Sequence, residues 1–116
     1  MALVLCTGSE PEVMRKRRQF LEKAGHTVVP AMNEKELSEA CQHYEFDVAI
    51  IGPTLSPKMK LHVATLLREH CPDVKVLELS QTLDGHAIED ADSWIQALED
   101  VPQDLARQVA ELAKTS

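Results

Sequence analysis

The side chains able to do chemistry are scattered along this chain rather than clustered. Cys6, Cys41 and Cys71 are its three cysteines, and no Cys-x-x-Cys pair occurs. An odd count without paired spacing reads as free thiols in a reducing cytoplasm, not as a metal site or a disulfide framework. His26, His43, His62, His70 and His86 show no metal-binding spacing; His62 and His70 stand eight positions apart on one expected helix, with no ligand at i+4. Ser80 has no base near it in sequence, so it reads as a turn or cap residue rather than a nucleophile. No glycine-rich phosphate loop is present, which argues against nucleotide binding. The most informative stretch is Asp47-Val48-Ala49-Ile50-Ile51-Gly52-Pro53. Its short β-branched run and Gly-Pro stop predict a strand covered on both faces, as in the middle of a parallel sheet. Open α/β sheets place ligands and chemistry at the carboxyl ends of their strands. For this strand that end is Gly52, which has no side chain to offer.

The elements around it alternate. Leu3-Val4-Leu5-Cys6-Thr7 predicts a first strand, stopped by Gly8. Ser9 is the expected N-cap of a helix with Glu10 and Glu12 in its first turn and Pro11 at an early position. That helix runs to about Ala24, with Val13, Phe20, Leu21 and Ala24 inward, and Gly25 ends it. Residues 26–31 are expected to form a second strand whose Pro30 puts its end at a sheet edge or outside the ladder. Asn33, with Glu36 three residues on, caps a second helix with Leu37, Ala40, Cys41 and Tyr44 inward. Ser56-Pro57 opens a third helix, patterned by Leu61, Ala64, Thr65 and Leu67 or Arg68 and closed at Cys71-Pro72. Strands follow at 74–79 and 93–95, and a last helix spans about 102–113, with Leu105, Val109 and Leu112 inward. The stretch Ser80–Asp90 has no helical pattern. Repeated β-α order calls for a parallel sheet.

The 116 residues fit a single domain, 1–116, able to bury its own core. A net charge of −7 argues against general binding to nucleic acid or to an anionic membrane surface. No apolar run approaches the roughly 20 residues of a membrane span. The N-terminus lacks a signal-peptide pattern, so a cytoplasmic location is expected.

Three segments carry a resemblance. The first is Glu10-Pro11-Glu12-Val13 with Phe20-Leu21-Glu22-Lys23-Ala24-Gly25-His26-Thr27-Val28. The second is Phe46-Asp47-Val48-Ala49-Ile50-Ile51 with Pro72-Asp73-Val74-Lys75-Val76-Leu77. The third is Ala91-Asp92-Ser93-Trp94-Ile95. In this order and spacing the chain resembles the receiver domains of two-component response regulators. The resemblance implies a three-layer α/β/α, flavodoxin-like (βα)5 fold with a parallel sheet in order 2-1-3-4-5. In that family an aspartate at the end of the third strand accepts a phosphoryl group. Two acidic residues after the first strand hold magnesium, and a Ser or Thr and a Lys contact the phosphoryl oxygens.

Carried across by position, the site is degenerate. Gly52 stands at the acceptor position, Gly8 and Ser9 at the acidic pair with Glu10 just beyond, Ser80 at the hydroxyl, and Ala97 near the lysine. Phosphoryl transfer to protein needs a nucleophilic carboxylate, and magnesium needs oxygen ligands. From Ser80 to Ala97 the chain has 17 positions, too few for the family's full fourth helix, which is therefore expected to be shortened or lost. Trp94 falls at the family's switch aromatic and, with Ile95, is a candidate contact in an interface; packing over the uncovered sheet is the plainer role. Arg15-Lys16-Arg17-Arg18 reads as a solvated helix face, with the Arg17 stem along the core edge; alternatively Arg15, Arg17 and Arg18 dock an acidic partner.

The expected function is a phosphorylation-independent protein-interaction or dimerisation module, not an enzyme, with no cofactor or metal. Its partner is another protein or a second copy. A second expectation is small-molecule or anion binding in the crevice at Gly8, Gly52 and Ser80, where helix N-termini favour negative charge. A third is a surviving phosphorylatable enzyme that relies on Glu10.

Overall fold

The computed structural model describes residues 2–82, 86–97 and 101–114. Its strands are β1 (Leu3–Thr7), β2 (Thr27–Ala31), β3 (Val48–Ile51), β4 (Lys75–Ser80) and β5 (Ser93–Gln96). Its helices are α1 (Pro11–Lys23), α2 (Glu34–His43), α3 (Pro57–His70) and α4 (Leu105–Lys114). All strand pairs are parallel, in the order β2-β1-β3-β4-β5. That is the expected flavodoxin-like order, and Pro30 sits on an edge strand as its missing N–H requires.

Alternation of side chains across β3 divides the core in two. Ala49 and Ile51 face α2 and α3, while Val48 and Ile50 face α1 and α4; all four are fully buried. The run reads as uniformly apolar because both faces are covered. Between β4 and β5 the described residues contain no helix. Ile88 and Ala91 instead supply apolar cover to the α2–α3 face. Asp84 and Gly85 lie outside the described residues, as do Thr115 and Ser116.

Local chemistry sets the helix starts. Asn33 accepts from the Glu36 amide at 2.9 Å, and Glu36 reaches back to the Met32 amide at 2.7 Å, a capping exchange displaced by one residue. Ser56 caps α3 through the Met59 amide at 3.1 Å. The expected Ser9 cap of α1 is not formed. Pro11 is the first helical residue, so Glu10 is the N-cap, without a side-chain bond, and it precedes the first turn. Gly25 ends α1 with φ of 96°, a left-handed conformation that favours glycine.

The buried stripes differ from the apolar pattern in three helices. On α1 the buried residues are Met14, Arg17 and Leu21, with Ala24 exposed. On α3 they are Lys60, Val63, Ala64, Leu66 and Leu67, whereas Leu61 and Thr65 face outward. Tyr44 is not inward; it terminates α2, exposed, with its ring 5.6 Å from that of Phe46. In α1 and α3 the turn that contacts the sheet carries a cation with a polar destination, which a count of apolar residues excludes.

The cysteine reading is corrected in part. Cys41 of α2 and Cys71 at the C-cap of α3 form a disulfide with a Cα–Cα separation of 5.7 Å. The two helices are neighbours on one face of the sheet, a proximity that a 30-residue spacing does not reveal. Cys6 is free and buried.

Candidate functional site

The carboxyl ends of β1 and β3 meet at Gly8 and Gly52. The Gly52 amide donates to the Thr7 carbonyl at 3.1 Å, and the Thr7 hydroxyl donates to the Ile50 carbonyl at 2.8 Å. This draws the two strand ends close together. A Cβ on Gly52 would lie 3.0 Å from the Thr7 carbonyl oxygen and 3.4 Å from Arg17 Nη1. A Cβ on Gly8 would lie 2.8 Å from Met14 Sδ and 3.7 Å from Arg17 Nη1. The guanidinium of Arg17 thus reaches the strand-end crevice from α1, where the residue is only 2% exposed. It does not lie along the core edge with its head in solvent, as the sequence suggested.

Beneath the guanidinium, burial pushes the Cys6 thiol up from 9.0 to about 11, against the opposing charge and hydrogen bond of Arg17. The thiol is therefore uncharged at neutral pH and is no nucleophile. The crevice holds a permanent cation and no carboxylate at Gly8, Ser9 or Gly52. Glu10 and Ser9 are exposed, and the Ser9 hydroxyl lies 3.4 Å from that of Thr54. On the neighbouring strand Ser80 is buried, and among the described residues its hydroxyl is the one buried side-chain polar atom without a hydrogen-bond partner. Ala97 lies beside it, donating its amide to the Ser80 carbonyl at 2.7 Å.

A second polar centre was not anticipated. Glu78 of β4 is fully buried on the α3 face. Its Oε2 accepts from Lys60 Nζ at 2.9 Å and from the Ala87 amide at 2.7 Å; its Oε1 accepts from the Ile88 amide at 2.9 Å. Lys60, 3% exposed, also donates to the Leu79 carbonyl at 2.8 Å. One carboxylate therefore pins the segment that crosses the sheet where a helix is missing. Trp94 Nε1 adds a bond to the Ile88 carbonyl at 2.8 Å, and the His86 ring stands 5.4 Å from the indole. Trp94 remains 44% exposed, while Ile95 packs half-buried on the α1–α4 core. The signal in the sequence was a glutamate inside a covered strand, since a buried charge requires a partner.

Of the basic run, Arg15 and Arg18 are exposed and pair within α1, with Glu12 at 3.0 Å and Glu22 at 3.3 Å. These are ordinary helix-surface pairs. His62 pairs with Glu34 at 3.2 Å, and buried His26 takes the Ala2 amide at 3.1 Å. Among the described residues no group of three or more His, Cys, Asp or Glu side chains could hold a metal, and no helix is long and apolar enough to cross a membrane. A cavity of about 250 Å³ lies between α2 and α3 beside Gly8, bordered by Asn33, His62 and Val63.

The fold matches that of response regulator receiver domains. A receiver domain (CheY-like) from Methylobacillus flagellatus superposes with a TM-score of 0.80 at 16% identity, covering 97% of this chain and 98% of that one. The response regulator TrrA from Thermotoga maritima, in complex with Mg(2+)-BeF, gives 0.74 at 21% identity over 97% and 99%. The receiver domain of sensor histidine kinase PA1611 from Pseudomonas aeruginosa, with magnesium in its active site cleft, gives 0.75 at 13% identity over 97% and 98%. No family model matches the chain, and no curated protein does. The chain has the receiver, CheY-like fold.

Proposed function

We propose that this chain is a receiver-like domain that acts without an aspartyl phosphate, as a protein-interaction module in two-component-type signalling, and is not an enzyme. The supporting observation is the Arg17 guanidinium beside Gly52. The position that would need a nucleophilic carboxylate has none, and its nearest side-chain charge is positive. A fixed cation there also opposes magnesium, which is bound through carboxylates. The partner is a protein: TrrA is described in complex with the histidine kinase ThkA, and the net charge of −7 disfavours nucleic acid. The most concrete form of the reading is a homodimer through residues 80–101. Incubation with a small phosphodonor and magnesium, followed by intact mass, is expected to show no added phosphate. A phosphorylated species would overturn the reading and restore the one that relies on Glu10.

The buried, unpartnered Ser80 hydroxyl favours a second reading, an anion-binding crevice at Gly8, Gly52 and Ser80. On that reading inorganic phosphate raises the melting temperature of the protein, and Ser80→Ala abolishes the rise. No rise at millimolar phosphate removes it.

A further inference from the structure

We propose that Cys41 and Cys71 form a thiol–disulfide exchange site for small uncharged thiols, with Cys41 the sulfur attacked. This stands apart from the strand-end crevice. The bond joins the last turn of α2 to the C-cap of α3, at the opposite end of the sheet from Gly52. It lies in the wall of an open depression of about 490 Å³ at the N-terminal ends of β3 and β4. Cys41 is half-buried there, whereas Cys71 is 9% exposed. A reagent entering the depression therefore meets Cys41 Sγ first.

Cys41 sits on α2 and Cys71 at the C-cap of α3, where the Cys71 amide donates a hydrogen bond to the Leu67 carbonyl at 2.7 Å. This anchoring favours re-formation of the bond after reduction. The bond is one tie among many in the fold, which also has two buried cores and five paired strands.

The exchange balances without an outside redox partner beyond the thiol. A thiolate attacks Cys41 Sγ, the Cys41–Cys71 bond breaks, and Cys71 leaves as a thiolate that takes a proton from water. A second thiolate then attacks the mixed disulfide, releasing Cys41 and the small disulfide. Two small thiols are oxidised and two protein thiols are formed. Selection comes from charge. Glu45, Asp47 and Asp73 line the depression together with His70. An anionic thiol such as glutathione is repelled there, and an uncharged one such as 2-mercaptoethanol is not.

The test uses the full chain purified without reductant. Native treatment with 2-mercaptoethanol, then iodoacetamide and intact mass, is expected to give two alkylated thiols, with Cys6 unmodified. Glutathione at equal thiolate concentration should react several-fold more slowly, with the gap narrowing in 0.5 M salt. Hydroxyethyl disulfide should leave a stable adduct on Cys41 in Cys71→Ser and little on Cys71 in Cys41→Ser. Reduction is expected to lower the melting temperature by about 15 °C, as closure of a loop of this length implies, and the double serine variant should not respond. A bond that survives native reductant, or adducts equal on both sulfurs, would overturn the proposal. Equal rates for the two thiols at low salt would overturn its charge selection.

Discussion

At the scale of single residues, the two glycines of the strand-end crevice are not equivalent. A methyl group added at Gly8 meets a side-chain atom, Met14 Sδ, which is buried beside the Cys6 thiol but carried on rotatable bonds. At Gly52 it meets the Thr7 carbonyl oxygen, which is held in place by accepting the Gly52 amide. Gly8→Ala should therefore cost the less of the two, about 1 kcal/mol or below, since methionine adapts more readily than backbone. Gly52→Ala should destabilise by about 1–3 kcal/mol, the usual penalty of overpacking. Urea unfolding of the two variants decides it, and equal effects would mean that β1 and β3 can separate at this end. The absence of a side chain at Gly52 was legible directly in the sequence. The approach of Arg17 was not. A cation at an inward position of α1 reads as a stem passing along the core, because spacing gives its face and not the reach of its guanidinium.

At the scale of elements, α3, β4 and the segment 86–88 act as one unit through Glu78. Its carboxylate receives one ammonium and two backbone amides, all in the interior. Removing the ammonium leaves a buried charge held by neutral donors alone, so Lys60→Met should cost about 3–5 kcal/mol in urea unfolding. Replacing both partners, Lys60→Met with Glu78→Leu, removes the charges but strands the Ala87 and Ile88 amides. That variant should shift Trp94 emission to the red, because the segment that accepts the indole N–H is no longer held. An unchanged spectrum would show that packing of Ile88 alone fixes the segment. The positions of strands and helices were legible because their signals are local: the Asn33 and Ser56 caps, the Gly25 stop and the Gly-Pro after β3. The α3 stripe was misread because Lys60 occupies an apolar-phase position, and only the buried Glu78 opposite explains a lysine there. The Cys41–Cys71 bond was missed for a related reason, since it depends on which helices become neighbours across the sheet.

At the scale of the molecule, the strand order followed from the resemblance more than from periodicity, which gives alternating elements but not their arrangement in the sheet. The same arrangement bears on how copies could associate. β5 is an edge strand, and no described helix covers the sheet between β4 and β5. Trp94 stands on that edge, 44% exposed while its N–H is already satisfied within the chain, so a partner would gain its apolar ring without losing a hydrogen bond. A standard interface takes about 800 Å² from each partner, near an eighth of the 6506 Å² of accessible surface here. Two copies each carrying −7 repel at long range, so association through this apolar edge should strengthen as salt screens that charge. Sedimentation velocity is expected to show a concentration-dependent dimer, favoured at 0.5 M over 0.05 M salt and weakened at least tenfold by Trp94→Ala. A strict monomer at high protein concentration and in high salt, unaffected by that substitution, would remove the homodimer and leave a different protein as the partner of this surface.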